Sequence, residues 1–161
     1  DDVLDRFYKV ACKYKPLHIV RLTGDCPLID PDVIDKAISH HVKTNADYTS
    51  NVVVTSYPDG LDVEVMTFEA LERAWKFAIL TSDREHVTPF IRNSDGNRIE
   101  HIISENDLSG LRWTVDEMDD YKFVSEVYKN LYHNKNDFTT NDVLVLLNEK
   151  PELNDINNHY K

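Results

Sequence analysis

The sequence predicts an α/β protein with a parallel sheet, and three consecutive segments support this fold class. Residues 3–12 place apolar side chains at helical spacing, and Pro16 ends that helix. Residues 17–23, "LHIVRLT", are short and largely apolar, and they stop at Gly24, which is typical of a strand covered on both faces. A second helix follows from Pro31. Because a strand set between helices is the repeating unit of parallel sheets, we expect an α/β architecture.

Further helical and strand patterns follow in the rest of the chain. Asp30 and Thr67 each precede a helical pattern and are predicted to be helix N-caps. Further strands are predicted over residues 47–55, 61–67, 98–104 and 111–115, and further helices after Thr67, within 82–93, over 123–131 and around 143–147. No repeat or interdomain linker interrupts the pattern, so one domain is expected to span residues 1–161.

Composition excludes several classes of protein. The chain carries 18 basic and 29 acidic residues, a formal charge of -11, without a basic cluster, so nucleic acid is not an expected partner. Cys12 and Cys26 form no CxxC pair, which favours free thiols in a reducing cytoplasm. The apolar runs are too short for a membrane helix or a signal peptide, so no membrane partner is expected. We therefore expect a cytoplasmic location.

Two acids stand directly after predicted strands. Asp25 follows the run at 17–23, and Asp116 follows "LRWTV" at 111–115. Ligands of open α/β sheets collect at the carboxyl ends of strands, and two carboxylates there suit Mg²⁺ together with a nucleotide or diphosphate. The alternative is that each Asp is a turn or helix-cap residue, which is also the interpretation preferred for Asp30.

Four ordered motifs resemble one known family. They are "IVRLTGDCPLID" at 19–30, "YPDGLDVEV" at 57–65, "REHVTPFI" at 84–91 and "LRWTVDEMDDY" at 111–121. The chain resembles the spore coat polysaccharide biosynthesis cytidylyltransferases, relatives of the acylneuraminate and 3-deoxy-manno-octulosonate cytidylyltransferases, along nearly its whole length. The resemblance implies a nucleotide-diphosphosugar-transferase-like α/β fold with a mixed, mostly parallel sheet flanked by helices.

The resemblance also implies an activity and a metal site. Enzymes of this family transfer CMP from CTP to a sugar hydroxyl and release diphosphate, and an acidic sugar for surface or spore coat polysaccharide is the implied acceptor. Asp25 and Asp116 match the family's two metal-binding acids, so both are candidate catalytic residues and ligands of a Mg²⁺ cofactor. CTP and the sugar are the implied partners, together with a second copy of the chain in a homodimer.

Six further residues match the family's substrate-binding motifs. Asp59, Asp62 and Glu64 belong to the "DGxDVEV" segment, in which Asp62 and Glu64 share one strand face and could meet sugar hydroxyls. The alternative is that Asp59 and Gly60 form only a turn. Arg84, Glu85 and His86 match "REHVTP", where an arginine can pair with a carboxylate or phosphate, the alternative being an ordinary exposed helix start. Three charged residues are left unassigned to the site: Arg112, which flanks "LRWTV" and could face the same cleft, and Asp119 and Asp120, for which a cap of the next helix is at least as good an interpretation.

One family motif is absent from this sequence. The basic loop of the type Arg-x-x-Ser-x-Arg-Leu-Pro-x-Lys, which cradles the triphosphate, would lie before residue 1. We therefore expect residues 1–161 to be the C-terminal part of a single cytidylyltransferase domain whose N-terminal nucleotide-binding portion, on the order of 80 residues, is missing. On this interpretation the chain alone is inactive.

Two rival functions remain open at this stage. The chain could be a non-catalytic, truncated module that binds a sugar or a partner and keeps the acids as structural caps. It could also belong to a related nucleotidyltransferase or glycosyltransferase that uses another nucleotide, because strand-end acids do not recognise the base.

Overall fold

The computed structural model describes residues 2–160; Asp1 and Lys161, the two ends of the predicted domain, lie outside the described residues. The chain forms two compact units, each assembled from separate segments. The first unit comprises the chain up to Arg21, Ala37–Ser50 and Glu64–Ile102. The second unit comprises Leu22–Lys36, Asn51–Val63 and the chain from Ile103 onward. The expectation of a single domain stays a prediction.

The described chain contains most of the helices and strands that the sequence predicts. The helices are α1 (Val3–Tyr14), α2 (Pro31–Thr44), α3 (Phe68–Phe77), α4 (Thr81–His86), α5 (Pro89–Asn93), α6 (Met118–Leu131) and α7 (Thr140–Glu149). The strands are β1 (His18–Arg21), β2 (Tyr48–Ser50), β3 (Glu64–Thr67) and β4 (Ile99–His101), and 3₁₀ turns follow at Pro151–Ile156 and Asn158–Tyr160. None of the described helices is long and apolar enough to cross a membrane.

All four strands belong to one mixed sheet in the first unit. Their order is β1-β3-β2-β4, with β3 antiparallel to both neighbours and β2 parallel to β4. The predicted mixed α/β fold is confirmed, but the expectation of a mostly parallel sheet is wrong for the described strands. The reason is the connection from β2 to β3, residues 51–63, which contains no crossover helix and therefore returns the chain in the antiparallel direction.

The core of the first unit lies between the sheet and helices α1, α3 and α5. Tyr48 and Met66 of the sheet pack with Leu4, Leu71 and Ile91 of the helices, and all five are fully buried. Thr67 caps α3 as predicted, because its side-chain oxygen accepts a hydrogen bond from the amide of Ala70.

The second unit has its own core, around Leu61, Trp113 and Phe123. Capping boxes begin α6, with Glu117 and Asp120, and α7 in the same manner. In both boxes the acid at the third helical position accepts a hydrogen bond from the amide of the N-cap residue.

Asp30 is also a helix cap, as the sequence predicts. Its Oδ1 atom accepts a hydrogen bond from the amide of Asp32 in the first turn of α2 at 2.9 Å. Its Oδ2 atom accepts from the amide of Thr140, the first residue of α7, at 2.7 Å. One buried carboxylate therefore serves the starts of two helices.

The strand predicted over residues 111–115 is not present; among the described residues this segment makes only an isolated bridge between Asp59 and Arg112. The amide of Trp113 donates to the carbonyl of Asp59 at 2.6 Å, but the amide of Val115 donates to Asp25 instead, at 2.8 Å. Because the pairing changes partner after two residues, no ladder develops, and Asp116 follows an extended segment rather than a strand.

Candidate active site

Four of the predicted site acids belong to the second unit, where they lie near one another. Asp25 accepts a hydrogen bond at Oδ1 from the buried Cys26 thiol, with a separation of 3.6 Å. The backbone of Asp62 is hydrogen-bonded to the same sulfur. Burial raises the pKa of Asp59, the nearby Arg112 opposes this shift, and the negative charges of Asp116, Asp120 and Asp25 raise the pKa further.

The loop that carries Asp25 is held against the segment before Asp116. The carbonyl oxygen of Asp25 accepts one hydrogen bond from the amide of Val115, at 2.8 Å, and another from the Thr114 hydroxyl, at 3.2 Å. The Asp25 side chain is left exposed. The backbone therefore fixes this position while its carboxylate remains accessible to a ligand.

Asp59 lies in a tight turn, which Leu61 closes through a 3.1 Å amide hydrogen bond to the carbonyl of Pro58. Gly60 has a φ of +106°, and a Cβ atom there would be 2.4 Å from the backbone nitrogen of Thr114. Only glycine tolerates both the conformation and this close approach. The turn interpretation of Asp59 and Gly60 is thus structurally correct, and the same turn carries Asp59 to Arg112.

Arg112 is the centre of this acidic group. Its Nε and Nη2 atoms donate to the two carboxylate oxygens of Asp120, at 2.9 and 2.7 Å. Its Nη1 atom donates to Asp59 Oδ2 and its Nη2 atom to Asp116 Oδ2, both at 3.1 Å. The arginine side chain is 14% exposed and that of Asp120 is fully buried, whereas Asp59 and Asp116 are about half exposed, at 51% and 54%.

The pKa shifts follow from this arrangement. Burial alone would raise the pKa of Asp120, but hydrogen bonds from Arg112, Asn157 and the amides of Glu117 and Asp116 outweigh it and hold that pKa well below its usual range. The hydrogen bond to Asp120 raises the pKa of Arg112 further above its already high value. Both groups are therefore charged at every physiological pH.

A cavity opens beside Asp59 within the second unit. Its volume is about 270 Å³, and it is lined by Asn51, Val52, Thr55, Tyr57, Pro58, Asp59, Asp62 and Ser109. The lining combines carboxylates, hydroxyls and an amide, which can form hydrogen bonds with a polyhydroxylated ligand, and it includes an aromatic ring. Asp59 and Asp62 are the two predicted substrate-binding residues in it.

The other four predicted substrate-binding residues belong to the first unit. Glu64 is 2% exposed, and its carboxylate is hydrogen-bonded by Arg21, by the Tyr48 hydroxyl and, at 2.6 Å, by the Thr88 hydroxyl. The spacing of Asp62 and Glu64 predicts that they share one strand face. Glu64, however, lies in a buried polar network of the sheet. The chain passes from the second unit to the first between Val63 and Glu64.

Arg84 joins three elements of the first unit. It donates from Nε to Asp2 Oδ2 at 2.6 Å, and from Nη1 to the carbonyls of Trp75 and Ala78 at the end of α3, at 3.2 and 3.1 Å. A cation at a helix C-terminus is stabilised by the helix dipole. Glu85 and His86, by contrast, are exposed on α4.

The donor set of the second unit suits Mg²⁺. Among residues 2–160 no group of three or more His, Cys, Asp or Glu side chains is arranged as a metal cage. Mg²⁺ does not need one, because it binds through one or two carboxylates and completes its shell with water and substrate phosphates. Asp25 and Asp116 are accessible oxygen donors of this kind, so the residues present fit the ion.

Arg112 and Asp120 are the members of this group that the sequence left unassigned, and their ion pair was not predicted, although Asp120 does cap α6. The available signal was an arginine inside the otherwise apolar run "LRWTV" and an acid at the start of the following helix. A charge in a buried run needs a partner, and that partner is most often a carboxylate. The sequence does not say which of the acids between 116 and 120 it is.

The fold of the chain is that of a cytidylyltransferase. A structure of a cytidylyltransferase from Leptospira borgpetersenii serovar Hardjo-bovis (strain JB197) superimposes with a TM-score of 0.89 and 26% identity, covering 95% of this chain and 65% of that protein. The family model for cytidylyltransferases matches residues 1–150. The chain belongs to the cytidylyltransferase family.

Two relatives have a higher sequence identity to this chain than that structure has. An uncharacterized protein of Methanocaldococcus jannaschii is 36% identical in an alignment of 165 positions that covers 99% of this chain and 65% of the relative. The spore coat polysaccharide biosynthesis protein SpsF of Bacillus subtilis (strain 168) is 32% identical in an alignment of 154 positions that covers 93% of this chain and 62% of SpsF. The chain thus spans a little under two thirds of each relative, and the expected N-terminal nucleotide-binding portion stays a prediction.

Proposed function

We propose that the protein containing this chain is a nucleotidyltransferase that transfers CMP from CTP to the hydroxyl of an acidic sugar, with release of diphosphate, for surface or spore coat polysaccharide synthesis. The observation that carries the proposal is the grouping of Asp25, Asp59, Asp62 and Asp116 in one unit of a chain that belongs to the cytidylyltransferase family. The likeness to SpsF supports the polysaccharide assignment.

Each acid has a proposed role. Asp25 and Asp116 would hold Mg²⁺, which when bound supplies charge neutralisation and orientation for the triphosphate. Asp59 and Asp62 border the cavity and accept hydrogen bonds from sugar hydroxyls. The transfer is an in-line displacement at the α-phosphorus, so the protein contributes chiefly by positioning the two substrates. Glu64, Arg84, Glu85 and His86 stay predicted substrate-binding residues.

The test uses the complete protein with CTP, Mg²⁺ and a panel of acidic sugars, and it follows diphosphate release. Asp25→Asn removes one negative charge with little change of shape, and we expect it to lower the rate by about a hundredfold or more, the size of loss typical of a removed electrostatic group. Asp35→Asn is the matched control, because Asp35 is an exposed acid of α2 in the same unit.

The outcomes separate the rival functions. Equal rates for Asp25→Asn and wild type would remove the metal role of Asp25. Sugar binding that is independent of Mg²⁺, without diphosphate release, would favour a non-catalytic binding module, and release from another nucleoside triphosphate would change the assigned base. A homodimer and a cytoplasmic location, the latter suggested by free thiols at Cys12 and Cys26, complete the proposal.

A further inference from the structure

The Arg112 side chain has the properties of a fixed support for the acids around it. Its bidentate pairing with Asp120 uses the planar fork of the guanidinium and leaves it one orientation. Asp120 is itself fully buried and accepts further hydrogen bonds from Asn157 Nδ2 at 2.9 Å and from the amides of Glu117 and Asp116 at 3.0 and 3.2 Å. An arginine held in this way cannot follow the motion of an exposed partner.

The exposed side of the same guanidinium reaches two carboxylates. Asp59 and Asp116 each accept through Oδ2, and each is about half exposed. A carboxylate has two oxygens, so a hydrogen bond at one of them restricts its rotation and leaves the other available to a ligand. The positive charge also offsets the repulsion that would otherwise separate these acids.

We propose that Arg112, locked by Asp120, is a positioning residue that orients Asp59 and Asp116 for the cation and the sugar. This inference rests on the proposed function, because it assigns these two acids to the ligands. It makes Asp120, which is fully buried and whose carboxylate is not open to a ligand, a determinant of how the exposed acids are oriented.

Arg112→Lys separates orientation from charge. Lysine keeps the positive charge but is a point donor that cannot span Asp120 and both outer acids. We expect kcat for diphosphate release to fall by about tenfold or more, with the Kd for Mn²⁺, measured by electron paramagnetic resonance without nucleotide, rising by about fivefold or more. Arg98→Lys, which alters an exposed arginine of the first unit, is the control and is expected to leave both values unchanged.

Asp120→Asn is the second variant. It keeps the shape of the side chain but removes the negative charge that locks Arg112, so we expect the same two changes in the same direction. Unchanged kcat and unchanged Mn²⁺ affinity in folded Arg112→Lys and Asp120→Asn proteins would overturn the proposal, because a merely structural pair would alter the melting temperature alone.

A measurement on the wild-type protein covers the case in which neither variant folds. The Nε–H proton of Arg112, observed in a nitrogen-15 spectrum, should exchange slowly with solvent. Its signal should shift when Mg²⁺ is added, since on this proposal Asp116 contacts both the Arg112 guanidinium and Mg²⁺. A signal that does not respond at saturating Mg²⁺ would contradict the proposal. The metal-binding and spectroscopic results need no CTP, so a protein inactive with CTP would refute the proposed function without deciding the role of Arg112.

Discussion

Arg112 and Asp120 form a two-point ion pair in the second unit, with nitrogen to oxygen distances of 2.9 and 2.7 Å and no solvent exposure of the carboxylate. The pair connects the extended segment at Arg112 to the first turn of α6. Asn157 strengthens the connection, because its Nδ2 atom donates both to Asp120 and to the backbone carbonyl of Arg112, at 2.9 and 3.0 Å.

Removing the buried member of this pair should destabilise the protein strongly. In Asp120→Ala the Arg112 guanidinium loses its buried partner, and the amides of Asp116 and Glu117 lose the carboxylate to which they donate. We expect the free energy of unfolding to fall by about 3 kcal/mol, the lower end of the range for a broken buried pair. Urea denaturation measures it. Asp119→Ala is the control, because Asp119 is the neighbouring residue and forms an exposed pair with Lys122. We expect this variant to change the free energy of unfolding by less than about 1 kcal/mol. Equal losses in the two variants would contradict this account.

Gly60 should not tolerate a side chain. Gly60→Ala places a Cβ at positive φ and 2.4 Å from the Thr114 backbone, so the turn at Asp59 must move away from Arg112. We expect a loss of about 2 kcal/mol or more, together with weaker binding of substrate sugars. Gly110→Ala is the control, because nothing lies within 4 Å of a Cβ at Gly110 and its backbone needs no positive φ. If thermal melts showed the two alanine variants equally stable, the close approach would have no energetic importance.

Stability should fall in mild acid because of His41. This side chain is fully buried, hydrogen-bonded at Nδ1 to the Thr49 hydroxyl and at Nε2 to His18, with separations of 3.0 and 3.1 Å. Burial, with a smaller contribution from the charge of His18, lowers its pKa from 6.5 to about 4. Between these two values the unfolded chain binds a proton at His41 and the folded chain does not, so the free energy of unfolding decreases as the pH falls, by roughly 2 kcal/mol at pH about 4.5.

The measurement is a series of urea denaturations between pH about 7 and about 4.5. His41→Gln keeps a hydrogen-bonding side chain that does not titrate, and it should flatten the pH dependence over this window. His133→Gln, at an exposed position after α6, should leave the slope as in wild type. A slope that persists in His41→Gln would assign the effect to another group.

Glu64 should matter to stability whatever its role in binding. Its buried carboxylate accepts hydrogen bonds from Arg21, Tyr48 and Thr88, which belong to three different elements or connections of the first unit. Glu64→Gln removes the charge that pairs with Arg21 and should cost about 2 kcal/mol in unfolding free energy. Glu105→Gln, an exposed position, is the comparison and should be neutral within about 0.5 kcal/mol. A neutral Glu64→Gln would show that the network is not a source of stability.

Sequence reasoning predicted the helices best. Apolar residues that recur with a period of 3.6 are a local property of the sequence, so α1, α2 and α6 are predictable from it. Asp30 and Thr67 are likewise predictable as helix caps from the residues next to them. Strand lengths were predicted less well. The pattern at 47–55 continues beyond β2, but from Asn51 onward side-chain hydrogen bonds take over part of the pairing, because the Asn51 side chain accepts from the amide of Val63 and donates to the carbonyl of Leu61.

The sequence by itself determined the α/β class, the family and the identity of four acids that the second unit brings together, because these depend on residue types in a fixed order. Only the tertiary structure decided that β3 runs antiparallel to its neighbours, that Asp116 follows no strand, and that Glu64 is buried in the sheet. The tertiary structure also decided that Asp120 is the buried acid with which Arg112 pairs. Strand direction and ion pairing depend on contacts between residues far apart in the chain, and local periodicity carries no information about those contacts.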